Sequence, residues 1–151
     1  MVHAQAITSI SEASLIAVAE PNESNALVVK QRFGNILRTI DEVALSDDVD
    51  AVVICTPTNT HADLIERFSQ TRKAIFCEKP IDLNLNRVRQ CLKTVSETET
   101  TLMVGFNRRF DPDFQSLKAT IVSGEIGNIE MVTIISRDPG APPLDLSLIH
   151  I

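Results

Sequence analysis

The stretch Ala74–Pro80, AIFCEKP, joins four apolar residues directly to an acid, a base and a proline. An apolar run of that length and make-up suits a strand buried on both faces. Glu78, Lys79 and Pro80 then emerge where the strand ends. In an open α/β sheet the carboxyl ends of the strands are where ligands sit. A lysine at that edge can give a proton to a reacting hydroxyl, or take one, once burial and a neighbour lower its basicity. Pro80 fixes the exit of the chain, and an X-Pro bond is the one place where a cis peptide is cheap. The bland alternative is a solvated turn with a chance ion pair. A second polar loop, Thr56-Pro57-Thr58-Asn59-Thr60-His61, follows another apolar run. It offers hydroxyls, an amide and free backbone N–H groups beside a helix start, a setting that favours phosphate and other anions. Taken alone it is turn and capping chemistry. Beside Glu78-Lys79-Pro80, at the end of the neighbouring strand, it makes a ligand site. Glu20 closes a further apolar run just before Pro21. In a dinucleotide fold an acid there takes the ribose hydroxyls and repels a 2′-phosphate, although an acid after a strand is also commonplace. Asn107-Arg108-Arg109 ends yet another run, suited to an anionic ligand or to surface ion pairs.

Positioning these groups on one edge requires alternating strands and helices. The apolar, β-branched runs predict strands at 15–20 (LIAVAE), 50–56 (DAVVICT), 74–78 (AIFCE), 102–106 (LMVGF) and 129–136 (IEMVTIIS), with a short strand near 35–38. Helices are expected near 2–10, 23–33, 40–45, 61–70, 85–97 and 112–123. The alternation is that of βαβ units in a parallel sheet. Asn22 and Gly34 suit the two ends of the second helix, and Thr60 with Asp63 suits the start of the fourth. In the helix after Pro80, Leu85, Val88, Cys91, Leu92 and Val95 keep a 3/4 spacing that predicts one buried face, with Cys91 as packing. The last predicted strand opens a second, smaller layer.

Composition narrows the classes. The 151 residues suffice for a domain with a real core, and 44% hydrophobic with 23% charged residues is an ordinary soluble mixture. A net charge of −6, with neither Trp nor Tyr and no basic stripe, argues against a nucleic-acid platform. No apolar run approaches a membrane span, and MVHAQAITSI lacks the pattern of a secretory signal. Cys55, Cys77 and Cys91 form no CxxC pair and His occurs only at 3, 61 and 150, so neither a zinc site nor a disulfide framework is expected. A reducing, cytoplasmic compartment fits best.

Together, DAVVICTPTNTHADLIERF, AIFCEKPIDL, LMVGFNRRFDP and EMVTIISRDP resemble the glucose–fructose oxidoreductase and inositol dehydrogenase family. The resemblance covers residues 2 to about 145 and rests on the order and spacing of four separate motifs. It implies an NAD-binding Rossmann domain over 1–110 and the start of an α/β domain for substrate and oligomer contacts over 111–145. It also implies oxidation of a ring hydroxyl of myo-inositol, or a similar cyclitol or sugar, to the ketone, in a protein that forms a homo-oligomer, a tetramer by that resemblance. By position, Lys79 would be catalytic. Glu20, Thr56, Pro57, Asn59, His61, Glu78, Lys79, Pro80, Asn107 and Arg108 would line cofactor and substrate. No metal, nucleic acid or membrane partner is implied. A different sugar dehydrogenase of the family, or a non-catalytic binding module on a degenerate nucleotide fold, are the competing readings. The Glu-Lys-Pro element favours the dehydrogenases.

The resemblance also sets expectations about extent. The family's first strand and GxGxxG turn would precede Val2-His3-Ala4, which matches the stretch just past the last glycine. Glu20 then falls at the interval expected of the ribose acid. The family's Asp and His partners of the lysine would come beyond Asp145. The tail Leu146–Ile151 is what CTG TCT CTT ATA CAC ATC encodes, a transposon end used in preparing sequencing libraries, and is expected to be non-native. The expectation is a fragment with an incomplete doubly wound parallel sheet, poorly folded and inactive by itself.

Overall fold

The computed structural model describes residues 2–137 and Gly140. Two compact units make it up, one ending at Val104 and one starting at Gly105. In the first, the order is α1 (Val2–Thr8), α2 (Glu23–Phe33), α3 (Ile40–Leu45), β1 (Ala51–Ile54), α4 (His61–Ser69), β2 (Ala74–Cys77), α5 (Leu85–Glu97) and β3 (Leu102–Val104). In the second, a single 3-10 turn at Asn107–Phe110 precedes α6 (Pro112–Val122).

Local chemistry sets the helix ends. The Asn22 side chain accepts from the Asn25 N–H at the start of α2. At its far end Gly34 takes φ of 81°, which a side chain resists, and donates its N–H to Lys30 O. Thr39 and Glu42 form a reciprocal capping box on α3. Asn84 accepts the Asn86 and Arg87 N–H groups at α5. Asp111 does the same for Asp113 and Phe114 at α6, where Pro112 holds the first turn.

The three strands form one parallel sheet in the order β1-β2-β3, with Ile54 opposite Cys77 and Cys77 opposite Val104. Side chains alternate across it. Val52, Ile54, Ile75 and Cys77 are buried on one face, whereas Val53 and Met103 point away and stay exposed. On the buried face lies α4, through Ala62, Ile65 and Phe68. Helix α5 packs on α4 in turn, with Cys91 buried and Val88 and Val95 partly so. Arg87 of α5 donates to Asp63 Oδ1 (2.5 Å) and to both oxygens of Glu66 (2.5 and 2.8 Å), tying α5 to α4 above the core. Buried Lys73 donates to Ser46 O (2.6 Å) and Val49 O (3.0 Å), fixing the turn into β2 against the turn into β1.

The elements follow the predicted alternation, with four differences. The 15–20 strand reduces to one bridge: Val18 pairs in parallel with Leu37, its N–H donating to Ile36 O and its carbonyl accepting from Arg38. The short strand near 35–38 is the other half of that bridge. Among the described residues this pair bonds to neither side of the three-stranded sheet, so nothing extends its ladder. The segment 129–136 is no strand either. Its residues are exposed, Met131 and Ile134 at 85%, and no described segment pairs with them. In α5, Leu85 and Leu92 are exposed because the stripe facing α4 runs through Val88, Cys91 and Val95, leaving those leucines on its flank. Finally, Thr60 does not cap α4 with its side chain. The 3-10 turn Thr58–Thr60 runs straight into the helix, and the Thr60 hydroxyl turns back into the loop. The tail at 146–151 lies outside the described residues.

Two outcomes follow from this packing. Ile65 of α4 is fully buried in the core, so Ile65→Ala is expected to cost about 2–5 kcal/mol by chemical denaturation. Burial pushes the Cys77 thiol up to about 12 and the Cys91 thiol up to about 11, while Cys55 is exposed. Iodoacetamide at about pH 8 is therefore expected to label Cys55 alone in the native chain and all three cysteines in denaturant. Equal native labelling of Cys91 would contradict the packing of α5 on α4.

Candidate active site at the carboxyl edge of the sheet

Because β1 and β2 run parallel and in register, the chain leaves both at one edge. The Thr56–Thr60 loop follows β1, and Glu78-Lys79-Pro80 follows β2. The pairing continues past the strands, since the Glu78 N–H donates to Ile54 O at 2.9 Å. The two loops that carry the sequence-predicted chemistry are therefore neighbours on one rim.

His61, the first residue of α4, is 2% exposed and joins them. Its Nδ1 lies 2.7 Å from Pro80 O and its Nε2 2.7 Å from Thr56 O. Both partners are carbonyls, so each ring nitrogen that carries a proton donates to one of them. The neutral ring donates to one of the two carbonyls and lies against the other; only the imidazolium donates to both. The Thr60 hydroxyl donates to Pro57 O (2.8 Å) and sits 2.6 Å from Thr56 Oγ1, closing the first loop on itself. Pro57 and Asn59 stay exposed at its crest.

On the second loop the bond between Lys79 and Pro80 is cis. The Lys79 side chain is exposed, and its ammonium has no ion pair among the described residues. Glu78 is held from two sides: Oε1 lies 2.7 Å from His3 Nε2, and Oε2 accepts the Lys79 N–H at 3.3 Å. The His3 ring also rests on Phe76, with centroids 5.7 Å apart and planes at 53°. Partial desolvation of its sulfur, then the Glu78 charge, pushes up the thiol of Cys55, although the residue as a whole stays exposed. The Cys77 thiol donates to Glu78 O at 3.2 Å.

Glu20 follows the Val18 bridge, and its Oε1 accepts the Asn22 N–H at 2.9 Å, which seats the carboxylate at the start of α2. Within the second unit, the Asn107 N–H donates to Gly105 O. Arg108 lies over the Phe114 ring at 5.1 Å and Arg109 over Phe106 at 5.9 Å, so both guanidinium groups rest on aromatic faces. His3 was not singled out by sequence. Nothing in the spacing of the first helix points to the end of β2.

The rim of the sheet holds an exposed ammonium and a hydroxyl- and amide-bearing loop at a helix start, and the Glu20 carboxylate stands at the start of α2. Such a donor set fits a dinucleotide: the carboxylate suits ribose hydroxyls and the loop suits polar and anionic parts. Comparison with known proteins agrees. Residues 1–106 match the model of an oxidoreductase family with an NAD-binding Rossmann fold, named GFO/IDH/MocA. An inositol 2-dehydrogenase of Rhizobium meliloti strain 1021 is 58% identical over 144 residues, 95% of this chain and 44% of that protein. A myo-inositol 2-dehydrogenase of Thermotoga maritima is 38% identical, over the same shares. The crystal structure of scyllo-inositol dehydrogenase from Lactobacillus casei, with NAD(H) and scyllo-inositol bound, superposes with a TM-score of 0.78 at 28% identity, covering 84% of this chain and 38% of that one. The chain thus spans less than half the length of these relatives, and with its α/β architecture and this rim it belongs to the GFO/IDH/MocA oxidoreductase family.

Proposed function

We propose that this chain is part of an NAD-dependent dehydrogenase that oxidises a ring hydroxyl of myo-inositol, or a similar cyclitol, to the ketone. The observation that carries this reading is the shared rim, where the exposed Lys79 follows β2 directly beside the Thr56 loop that follows β1. The relatives' names supply the substrate class. Residues 1–110 would form the cofactor domain, and 111–145 would open the domain for substrate and oligomer contacts. A cytoplasmic tetramer acting in inositol breakdown is the corresponding setting.

NAD, when bound, supplies the hydride acceptor. Glu20 would hold its ribose hydroxyls and, by repulsion, disfavour a 2′-phosphate. Thr56, Pro57 and Asn59 would line it on the rim. Lys79 in its amine form would accept a hydrogen bond from the reacting hydroxyl at Nζ and take its proton, ending as the ammonium, as the C–O bond becomes a carbonyl. Glu78 and Pro80 fix where the lysine begins, and His61 fixes both loops.

Two measurements on a protein of the relatives' full length that carries this segment test the reading. With myo-inositol and NAD it is expected to produce NADH absorbance at 340 nm, and Lys79→Met to lower kcat by roughly 10²-fold or more. A Lys79→Met variant with unchanged kcat would refute the role of that lysine. Glu20→Ser is expected to shift the NADP/NAD ratio of kcat/KM towards NADP by about 10-fold or more. An unchanged ratio would remove Glu20 from the cofactor site.

A further inference from the structure

We propose that two histidines, His3 of α1 and His61 of α4, brace the Glu78-Lys79-Pro80 turn from its two ends and act as positioning residues for Lys79. The inference rests on the role given to Lys79 above. It concerns how the root of that side chain is held.

Lys79 has an anchored backbone and an unanchored side chain. On its amino side, its N–H donates to Glu78 Oε2 at 3.3 Å, and the other oxygen of the same carboxylate meets His3 Nε2 at 2.7 Å. On its carboxyl side, Pro80 O meets His61 Nδ1 at 2.7 Å. The opposite nitrogen of His61 meets Thr56 O, also at 2.7 Å, so the turn is referenced to the loop after β1. Both imidazoles come from helices, one of them nine-tenths buried or more, and each spans a gap that backbone pairing leaves open. The β1–β2 ladder reaches only to the Glu78 N–H. Past that point the course of the turn depends on these side-chain contacts. A rigid root matters because a displacement of about 1 Å at a proton-transferring group can cost about 10²-fold in rate.

The brace separates from a general packing role by coupling. In the full-length protein, His3→Asn and His61→Gln are each expected to lower kcat by about 10-fold while KM for NAD changes less than about 2-fold. In a Lys79→Met background the same changes are expected to lower kcat no further, because their only route to the reaction has been removed. A loss that persists in that background, or unchanged kcat in both single variants, would overturn the proposal. A readout free of activity uses the same full-length protein. Amide hydrogen exchange at Lys79 is expected to rise in His3→Asn and in Glu78→Gln, with Ile75 and Phe76 unchanged. His3 is partly exposed, so His3→Asn tests the brace even if His61→Gln weakens the fold. Unchanged Lys79 exchange in both would refute the amino-side contact. Absence of NADH formation by the unsubstituted full-length protein would refute the dehydrogenase reading alone, leaving the exchange result to decide the brace.

Discussion

Parallel pairing of β1 with β2 is the constraint on which the rest depends. Ile54 stands opposite Cys77, and the Glu78 N–H extends the ladder by one bond onto Ile54 O. Antiparallel strands would have sent the two polar loops to opposite rims. Parallel strands in this register deliver them side by side, and the crossover that parallel pairing demands is α4 itself. The helix therefore does two things at once. Ala62, Ile65 and Phe68 bury the inner face of the sheet, and His61 at its first turn reaches both loops. Packing and site assembly share one element, so a change that tilts α4 disturbs both.

Electrostatics on this rim are uneven. Glu78 has its charge met by His3 and by a backbone N–H, whereas Lys79 next to it is exposed and its ammonium lacks an ion pair among the described residues. Elsewhere the charges serve the scaffold. Arg87 joins Asp63 and Glu66, Arg38 takes Asp48 in two parallel bonds, and Lys73 spends its ammonium on two carbonyls between strand entries.

Much of this was legible in the sequence because local signals agreed with one another. Apolar runs ending in polar clusters located β1, β2 and β3, and Asn22 and Gly34 marked the ends of α2. Where the reading went astray, the deciding term was a partner distant in sequence. LIAVAE has strand composition, but a strand also needs a ladder, and among the described residues Val18 finds only Leu37. IEMVTIIS is richer still in β-branched residues and pairs with no described segment. Composition reports what a segment would do when paired and is silent on whether a neighbour exists. The α5 stripe failed more mildly, since periodicity fixed a face but not how wide a strip α4 would cover. At the site, Lys79 and the Thr56 loop stood out because charge and hydroxyls after an apolar run are conspicuous. The dual contact of His61 was hidden, because its partners are backbone carbonyls that any residue supplies. His3 was hidden more deeply, 75 positions away from Glu78.

The most direct measurement is a nuclear Overhauser experiment on a full-length protein that carries this segment, isotopically labelled. Parallel pairing places the His61 ring against the backbone of both Thr56 and Pro80, and expects cross-peaks from one imidazole to protons of each loop. It also expects inter-strand contacts between Ile54 and Cys77. Ring contacts to only one loop, or β1–β2 contacts in an antiparallel pattern, would place Lys79 and the Thr56 turn apart and contradict a common site.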